Sequence, residues 1–286
     1  MKNSSVKKGA EMYNDSFRIR YGIAPIAISE NRDHYDTAPH IHNEIELLRL
    51  KAGEATVTVS DRSYRMKAGD IVVVNPMEVH SVIADRRYPY HQECICFDLS
   101  LLPDKELVCE LTSGESYIYA LHTLEEEVTG RLCESFDRLF EAVKQNRDTL
   151  LFESTAYVCL MLAALKEHGE VKSRGAKGKR ASFPRKVQEY LADHYTEDIT
   201  SDDAARELFY TQSYFCRLFR EEFGTSFLEY LAMYRISIAK SMLKDPAVKI
   251  SSVAEKIGFF DSSYFSRCFR RFVGMSPTEY KKHQYS

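Results

Sequence analysis

One octapeptide pattern occurs twice near the C-terminus, with arginines at matching places. The copies are Ser213-Tyr214-Phe215-Cys216-Arg217-Leu218-Phe219-Arg220 and Ser263-Tyr264-Phe265-Ser266-Arg267-Cys268-Phe269-Arg270. Arginine reads guanine through two parallel hydrogen bonds, and Ser or Gln can bind base edges or phosphate. On a helix, Phe215, Leu218, Phe219 and Phe223 turn one way and leave Gln212, Ser213, Cys216, Arg217 and Arg220 outside. In the second copy Phe265, Phe269 and Phe272 turn inward, while Ser262, Ser263, Ser266, Arg267, Arg270 and Arg271 lie outward. A different chemistry sits early in the chain, where His40, His42 and Glu46 alternate. On one strand they would share a face.

The elements that must hold the arginines are readable. Asp198 to Leu208 and Ile250 to Ile257 form an upstream helix before each copy, the second stopped by Gly258. A short turn follows, then the repeated helix, which is the helix-turn-helix plan whose second helix enters the major groove. Each copy runs on to a glycine (Gly224, Gly274), a serine (Ser226, Ser276) and a Glu-Tyr pair (Glu229-Tyr230, Glu279-Tyr280). Residues 227–244 read as one continuous helix. Its length of roughly 27 Å approaches the ~34 Å between successive major-groove faces of B-DNA. The plain alternative is a helical bundle with solvated polar faces. Repetition in the same arginine register favours double-stranded DNA as the partner.

Residues 184–286 resemble the DNA-binding domain of the AraC/XylS family of bacterial transcription regulators. The resemblance is carried by Arg217-Leu218-Phe219, Gly224-Thr225-Ser226-Phe227, Tyr230-Leu231, Arg235, Ala239, Ile250, Val253-Ala254, Gly258-Phe259, Asp261, Ser263-Tyr264-Phe265-Ser266-Arg267, Phe269, Gly274 and Ser276-Pro277. It implies that Gln212, Ser213, Cys216, Arg217, Ser262, Ser263 and Arg267 face bases or backbone. Cys216 departs from the more usual polar residue, and Phe209 replaces a frequent turn glycine.

Residues 17–100 read as short strands of an all-β barrel or sandwich. Ala55-Thr56-Val57-Thr58-Val59 alternates, Ile71-Val72-Val73-Val74 is β-branched, and Gly53, Asp61, Gly69 and Asn75-Pro76 punctuate. His40-Ile41-His42-Asn43-Glu44-Ile45-Glu46 with Gly53 resembles the first cupin motif, and Gly69-Asp70 leading to His80 resembles the second, with Glu78 where glycine is common. The resemblance makes His80 the fourth member of the set. Three imidazoles and a carboxylate suit Fe, Mn, Ni or Zn. Regulators of this type use the same side chains as hydrogen-bond partners of a small organic effector. The expectation is therefore an effector pocket of His40, His42, Glu46 and His80 with no metal or cofactor, a sugar being the family-level expectation. A cupin metalloenzyme fused to a DNA-binding module is the alternative. No Ser/His/Asp arrangement or phosphate loop stands out, and no enzymatic activity is expected.

The fold class expected is α+β and multidomain: a cupin-like barrel with helices, then an all-α domain with two helix-turn-helix motifs. Residues 1–168 form the regulatory and dimerisation domain, with the barrel at about 17–100 and helices at about 117–168. Residues 169–182, Gly-rich and basic, read as a linker, and 183–286 as the DNA-binding domain. In the helical part Leu132, Phe136, Leu139, Phe140 and Val143 form one stripe. A second helix through Leu150 to Leu165 is apolar nearly all round, so it must be buried, within its domain or across a homodimer. Overall charge is −3, but residues 172–286 carry 20 Lys and Arg against 14 Asp and Glu, and the remainder 19 against 28. Only the basic part suits a polyanion. Seven scattered cysteines without CxxC spacing read as reduced thiols. The polar N-terminus and the lack of a long apolar run imply a cytoplasmic protein with no membrane partner. RNA polymerase is a further partner if the protein activates transcription.

Overall fold

The computed structural model describes residues 18–20, 25–32, 36–60, 62–113, 116–119, 126–145, 148–173, 183–243 and 245–283. Two antiparallel sheets form the N-terminal barrel. One has the order β1 (Arg18–Arg20), β2 (Ile26–Asn31), β9 (His91–Phe97), β4 (Ile45–Ala52), β7 (Ile71–Val74). The other has the order β3 (Thr37–His40), β8 (His80–Ala84), β5 (Glu54–Val59), β6 (Arg62–Lys67). Alternation decides their faces. In β5 Ala55, Val57 and Val59 are buried, whereas Thr56 is exposed.

β4 is apolar on both faces because both are covered. Leu48 and Leu50 point between the sheets with Val57, Met66, Val72 and Val82. Ile45 and Leu47 point the other way, with Val73, Ile95 and Phe97, onto two helices. These are α2 (Glu126–Gln145) and α3 (Leu150–Glu167), which follow the shorter α1 (Lys105–Ser113). Leu132, Phe136, Leu139, Phe140 and Val143 of α2 are all buried in that layer. Each such side chain contributes roughly 1.5–3 kcal/mol by leaving water.

Within one chain α3 buries one side: Val158, Met161, Leu162 and Leu165 face the core, whereas Leu151, Phe152 and Leu160 are 47%, 77% and 51% exposed, on the side that the homodimer alternative would cover. Two expectations need correcting. Residues expected to begin the helices instead form β10 (Ser116–Ile118), which pairs with β11 (Val171–Ser173). That pairing takes up part of the stretch read as linker, whose residues 174–182 lie outside the described set.

The C-terminal domain contains α4 (Phe183–His194), α5 (Ser201–Glu207), α6 (Gln212–Phe223), α7 (Phe227–Met242), α8 (Ile250–Lys256), α9 (Ser262–Val273) and α10 (Pro277–His283). α7 serves two cores. Tyr230, Leu231 and Met233 join Phe183, Phe215, Phe219 and Phe223 in the first. Ala232, Ile236 and Ala239 join Phe259, Phe265, Phe269 and Tyr280 in the second. Arg235 fastens the halves by donating to the carbonyls of Tyr195 at 2.7 Å and Glu197 at 2.6 Å. Gly258 passes so close to the same segment that a Cβ there would lie 2.7 Å from the Thr196 carbonyl oxygen.

The first helix pair also packs against the barrel. Ile41, Met77 and Val79 enter the first C-terminal core, and the Tyr230 hydroxyl donates to the Met77 carbonyl at 3.0 Å.

Candidate DNA-reading surface and histidine centre

Both helix pairs are built by the same local chemistry. Thr200 caps α5 in a reciprocal arrangement with Asp203, satisfying amides at the helix start. The upstream helices end at Leu208 and Ile257. Phe209 and Gly258 then take the left-handed conformation, with φ of 62° and 81°. The amides of Phe209 and Tyr210 return to the carbonyls of Arg206 and Ala205, at 3.2 and 2.8 Å. Those of Gly258 and Phe259 return to Glu255 and Ala254, at 3.1 and 2.9 Å. This is a Schellman stop. The second turn then has one extra residue, Phe260, which is 80% exposed.

The repeated helices begin after Thr211 and Asp261. Asp261 accepts from the amides of Ser263 and Tyr264, at 2.7 and 3.2 Å, and those two amides hold its carboxyl below the usual range. Gln212, Ser213, Cys216, Arg217 and Arg220 are all exposed along α6, as are Ser262, Ser263, Arg267 and Arg270 along α9. The inward residues are Phe215, Leu218, Phe219 and Phe223 in α6, and Phe265, Cys268, Phe269 and Val273 in α9. Cys268 was not anticipated inside, and Phe272 is only partly buried.

The arginines are lightly held. Arg217 lies 4.0 Å from Glu221 and Arg270 3.7 Å from Glu279, pairs that are exposed and weak. Arg217 sits over the Tyr214 ring at 5.3 Å, and Arg267 over the Tyr264 ring at 5.8 Å. Such stacking orients a guanidinium without using its donors. Sequence reasoning passed over these tyrosines. Their signal was present, since both copies carry Tyr three residues before Arg, one helical turn away.

His40, His42, Glu46 and His80 do come together, but not on one strand. His40 ends β3, His42 lies in the corner between the sheets, Glu46 is on β4, and His80 opens β8 directly opposite His40. All four are buried, and one donor atom from each lies within 4.8 Å of the others. The rings touch, with centroids 4.0 Å apart for His40 and His80 and 4.8 Å for His42 and His80. His42 Nε2 is 2.9 Å from Glu46 Oε2, and His80 Nε2 is 3.2 Å from the same oxygen. Burial pushes the His42 imidazole pKa down, against the pull of Glu46. Burial alone would raise the Glu46 carboxyl, but the two imidazoles beside it outweigh that and hold it well below the usual range.

A corner-linked β-barrel joined to two helix-turn-helix units with exposed arginine faces defines a ligand-binding domain coupled to a DNA-binding one. The sequence profile of the AraC-like ligand binding domain matches residues 22–160, and a helix-turn-helix domain profile matches residues 204–283. The chain belongs to the AraC/XylS family of DNA-binding transcription regulators with an N-terminal ligand-binding domain. It is 24% identical to the uncharacterized HTH-type transcriptional regulator YdiP of Escherichia coli, over 87% of this chain and 82% of that one. It is 26% identical to the uncharacterized regulator YisR of Bacillus subtilis, over 85% of this chain and 87% of that one. The crystal structure of Vibrio cholerae ToxT bound to an unsaturated fatty acid is similar in fold, with a TM-score of 0.56 at 15% identity, covering 90% of this chain and 94% of that one.

Proposed function

We propose that α6 and α9 of one chain read adjacent major-groove segments of promoter DNA. Gln212, Ser213, Arg217 and Arg220 would act in the first helix, and Ser262, Ser263, Arg267 and Arg270 in the second. Cys216 occupies the reading face but offers only a weak donor. The observation that carries this reading is the repetition of an exposed Ser/Arg face, with the same Tyr–Arg stacking, on two helices joined by α7. Footprinting on an operator selected from random sequence tests it. Two protected segments one helical turn apart per DNA-binding domain are expected, and a single short segment would argue against it.

The same proposal places the effector site at the barrel's histidine centre and the regulator in the cytoplasm. Among the described residues, no helix is long and apolar enough to cross a membrane. A sugar effector has no support beyond family-level expectation. Homodimerisation is supported by α3, whose Phe152 and Leu160 lie exposed on the side away from the core. Sedimentation of Phe152→Asp and Leu160→Asp tests it: a dimer that becomes monomeric is expected, and unchanged mass would move the interface elsewhere. RNA polymerase enters as a partner if binding activates transcription. The curated relatives named above are transcriptional regulators, in keeping with a non-enzymatic role.

A further inference from the structure

The two helix pairs treat one turn position differently. Phe209 and Gly258 each follow an upstream helix, and both take the left-handed conformation. Phe209 holds its ring in solvent, 94% exposed. Gly258 is buried, and a Cβ on it would lie 2.7–2.9 Å from the carbonyl oxygen, carbonyl carbon and Cα of Thr196. Those are backbone atoms, which cannot swing aside as a flexible side chain could. The first turn accepts phenylalanine because it faces solvent. The second requires glycine because it presses on residues 195–197.

Residues 195–197 connect α4 to α5 and are anchored in the first pair. Tyr190 and Leu191 before them and Ile199 after them are buried in the first core. Tyr195 packs on the second core as well, so it touches both. From α7, Arg235 Nε donates to the Tyr195 carbonyl and Arg235 Nη2 to that of Glu197. The planar fork of a guanidinium meets two carbonyls at once, which an ammonium on a flexible stem does not. The same guanidinium lies over the Phe259 ring at 5.6 Å. Phe259 and Tyr264 have ring centroids 5.6 Å apart, and the exposed guanidinium of Arg267 lies over Tyr264. A continuous line of contacts runs from the entry of the first helix pair to the arginine face of the second.

A helix shared by two cores sets how far apart α6 and α9 lie. Their angle about that helix needs a second point of attachment, and the contacts of residues 195–197 with Arg235 and Gly258 supply it. We propose that Arg235 and this segment fix the phase at which α9 meets DNA relative to α6, so that the protein discriminates the spacing between the two DNA segments. This rests on the reading of both repeated helices as DNA-reading elements. Arg235 is a positioning residue: it is half-buried, and two of its donors are spent on backbone carbonyls. One base pair added between the segments turns the second by about 35° and moves it by about 3.4 Å. A rigidly held pair of helices cannot follow that change.

The test is fluorescence anisotropy of the full-length protein on a selected operator and its variants. One set has a base pair inserted or deleted between the protected segments, and another has either segment scrambled. Wild-type protein should lose at least about tenfold on each respaced duplex, falling toward its affinity for a single segment. Arg235→Lys, shown folded by circular dichroism, should match wild type on single-segment duplexes and lose about tenfold on the natural operator. Its preference among spacings should shrink to less than about threefold. Gly258→Ala, which pushes the second turn off Thr196, should behave in the same way. Wild-type protein that needs both segments but binds every spacing alike overturns the proposal, whether or not a variant folds. So does Arg235→Lys protein that keeps the full spacing preference, or that loses equally on one-segment and two-segment duplexes. Scrambling one segment without effect on wild-type binding strikes at the two-helix reading itself and takes the proposal with it.

Discussion

Gly224 and Gly274 end the two repeated helices in the same left-handed conformation, with φ of 70° and 84°. Alanine at either position should cost about 1–2 kcal/mol through backbone strain alone. Gly224 carries a second constraint. A Cβ there would lie 2.2 Å from the carbonyl oxygen of Ser60 and 2.6 Å from its carbon, both backbone atoms of the barrel. Reaching an ordinary contact of 3.4 Å requires the barrel and the first helix pair to separate by about 1 Å. That movement takes the 3.0 Å bond from Tyr230 to Met77 past useful length. A buried carbonyl is then stranded, at about 1–3 kcal/mol. Gly224→Ala should therefore lose about 2–5 kcal/mol in all, more than the roughly 1–2 kcal/mol of backbone strain alone. Calorimetry of the full-length protein measures the loss. Hydrogen exchange at the Ser60 amide, which donates to Val79 at 2.7 Å, locates it. A loss in Gly224→Ala no larger than the strain, or unchanged exchange at Ser60, would refute the docking of the first helix pair on the barrel.

Two further outcomes are expected. Phe209 is 94% exposed and left-handed, so Phe209→Gly gives up no packing and should stabilise the C-terminal domain by about 1 kcal/mol, read as a higher thermal midpoint. A lower midpoint, or weaker operator binding, would show instead that the phenyl ring makes a contact of its own. At Glu30, partial burial would raise the carboxyl, but hydrogen bonds from Arg32 and Lys144 outweigh it and hold the pKa at about 2. Because the folded value lies below the ordinary one near 4.5, this stabilisation is present above that value and is lost as pH falls toward 2. Glu30→Gln should flatten the decline of thermal midpoint across that acidic window, and an unchanged profile would exclude Glu30 as its source.

The parts of the fold that were legible in the sequence have one-sided patterns. The stripe of α2 and the alternation of β5 each have a single buried face, and both faces are where the pattern places them. α3 was only half legible, because apolar residues on all sides do not say which side meets the core. β10 and β11 are three residues each, and their pairing spans more than fifty residues of chain, which no local pattern encodes. The four centre residues were legible by type and spacing. The corner that gathers them was not, because alternation alone cannot reveal that the chain changes sheets between His40 and Glu46. Met77 and Val79 carried no mark of their role, since a barrel would bury them in any case. Tyr214 and Tyr264 were visible in both copies, but the pattern of apolar residues does not mark them as supports for the arginines.

The central claim is that both repeated helices read DNA, one arginine face each. The most direct measurement is anisotropy titration of Arg217→Ala and Arg267→Ala on a selected operator and on random duplex of equal length, at several salt concentrations. Each variant should lose about 1–3 kcal/mol on the operator and little on random DNA. Losses equal on the two duplexes, or confined to one of the two arginines, would contradict the account.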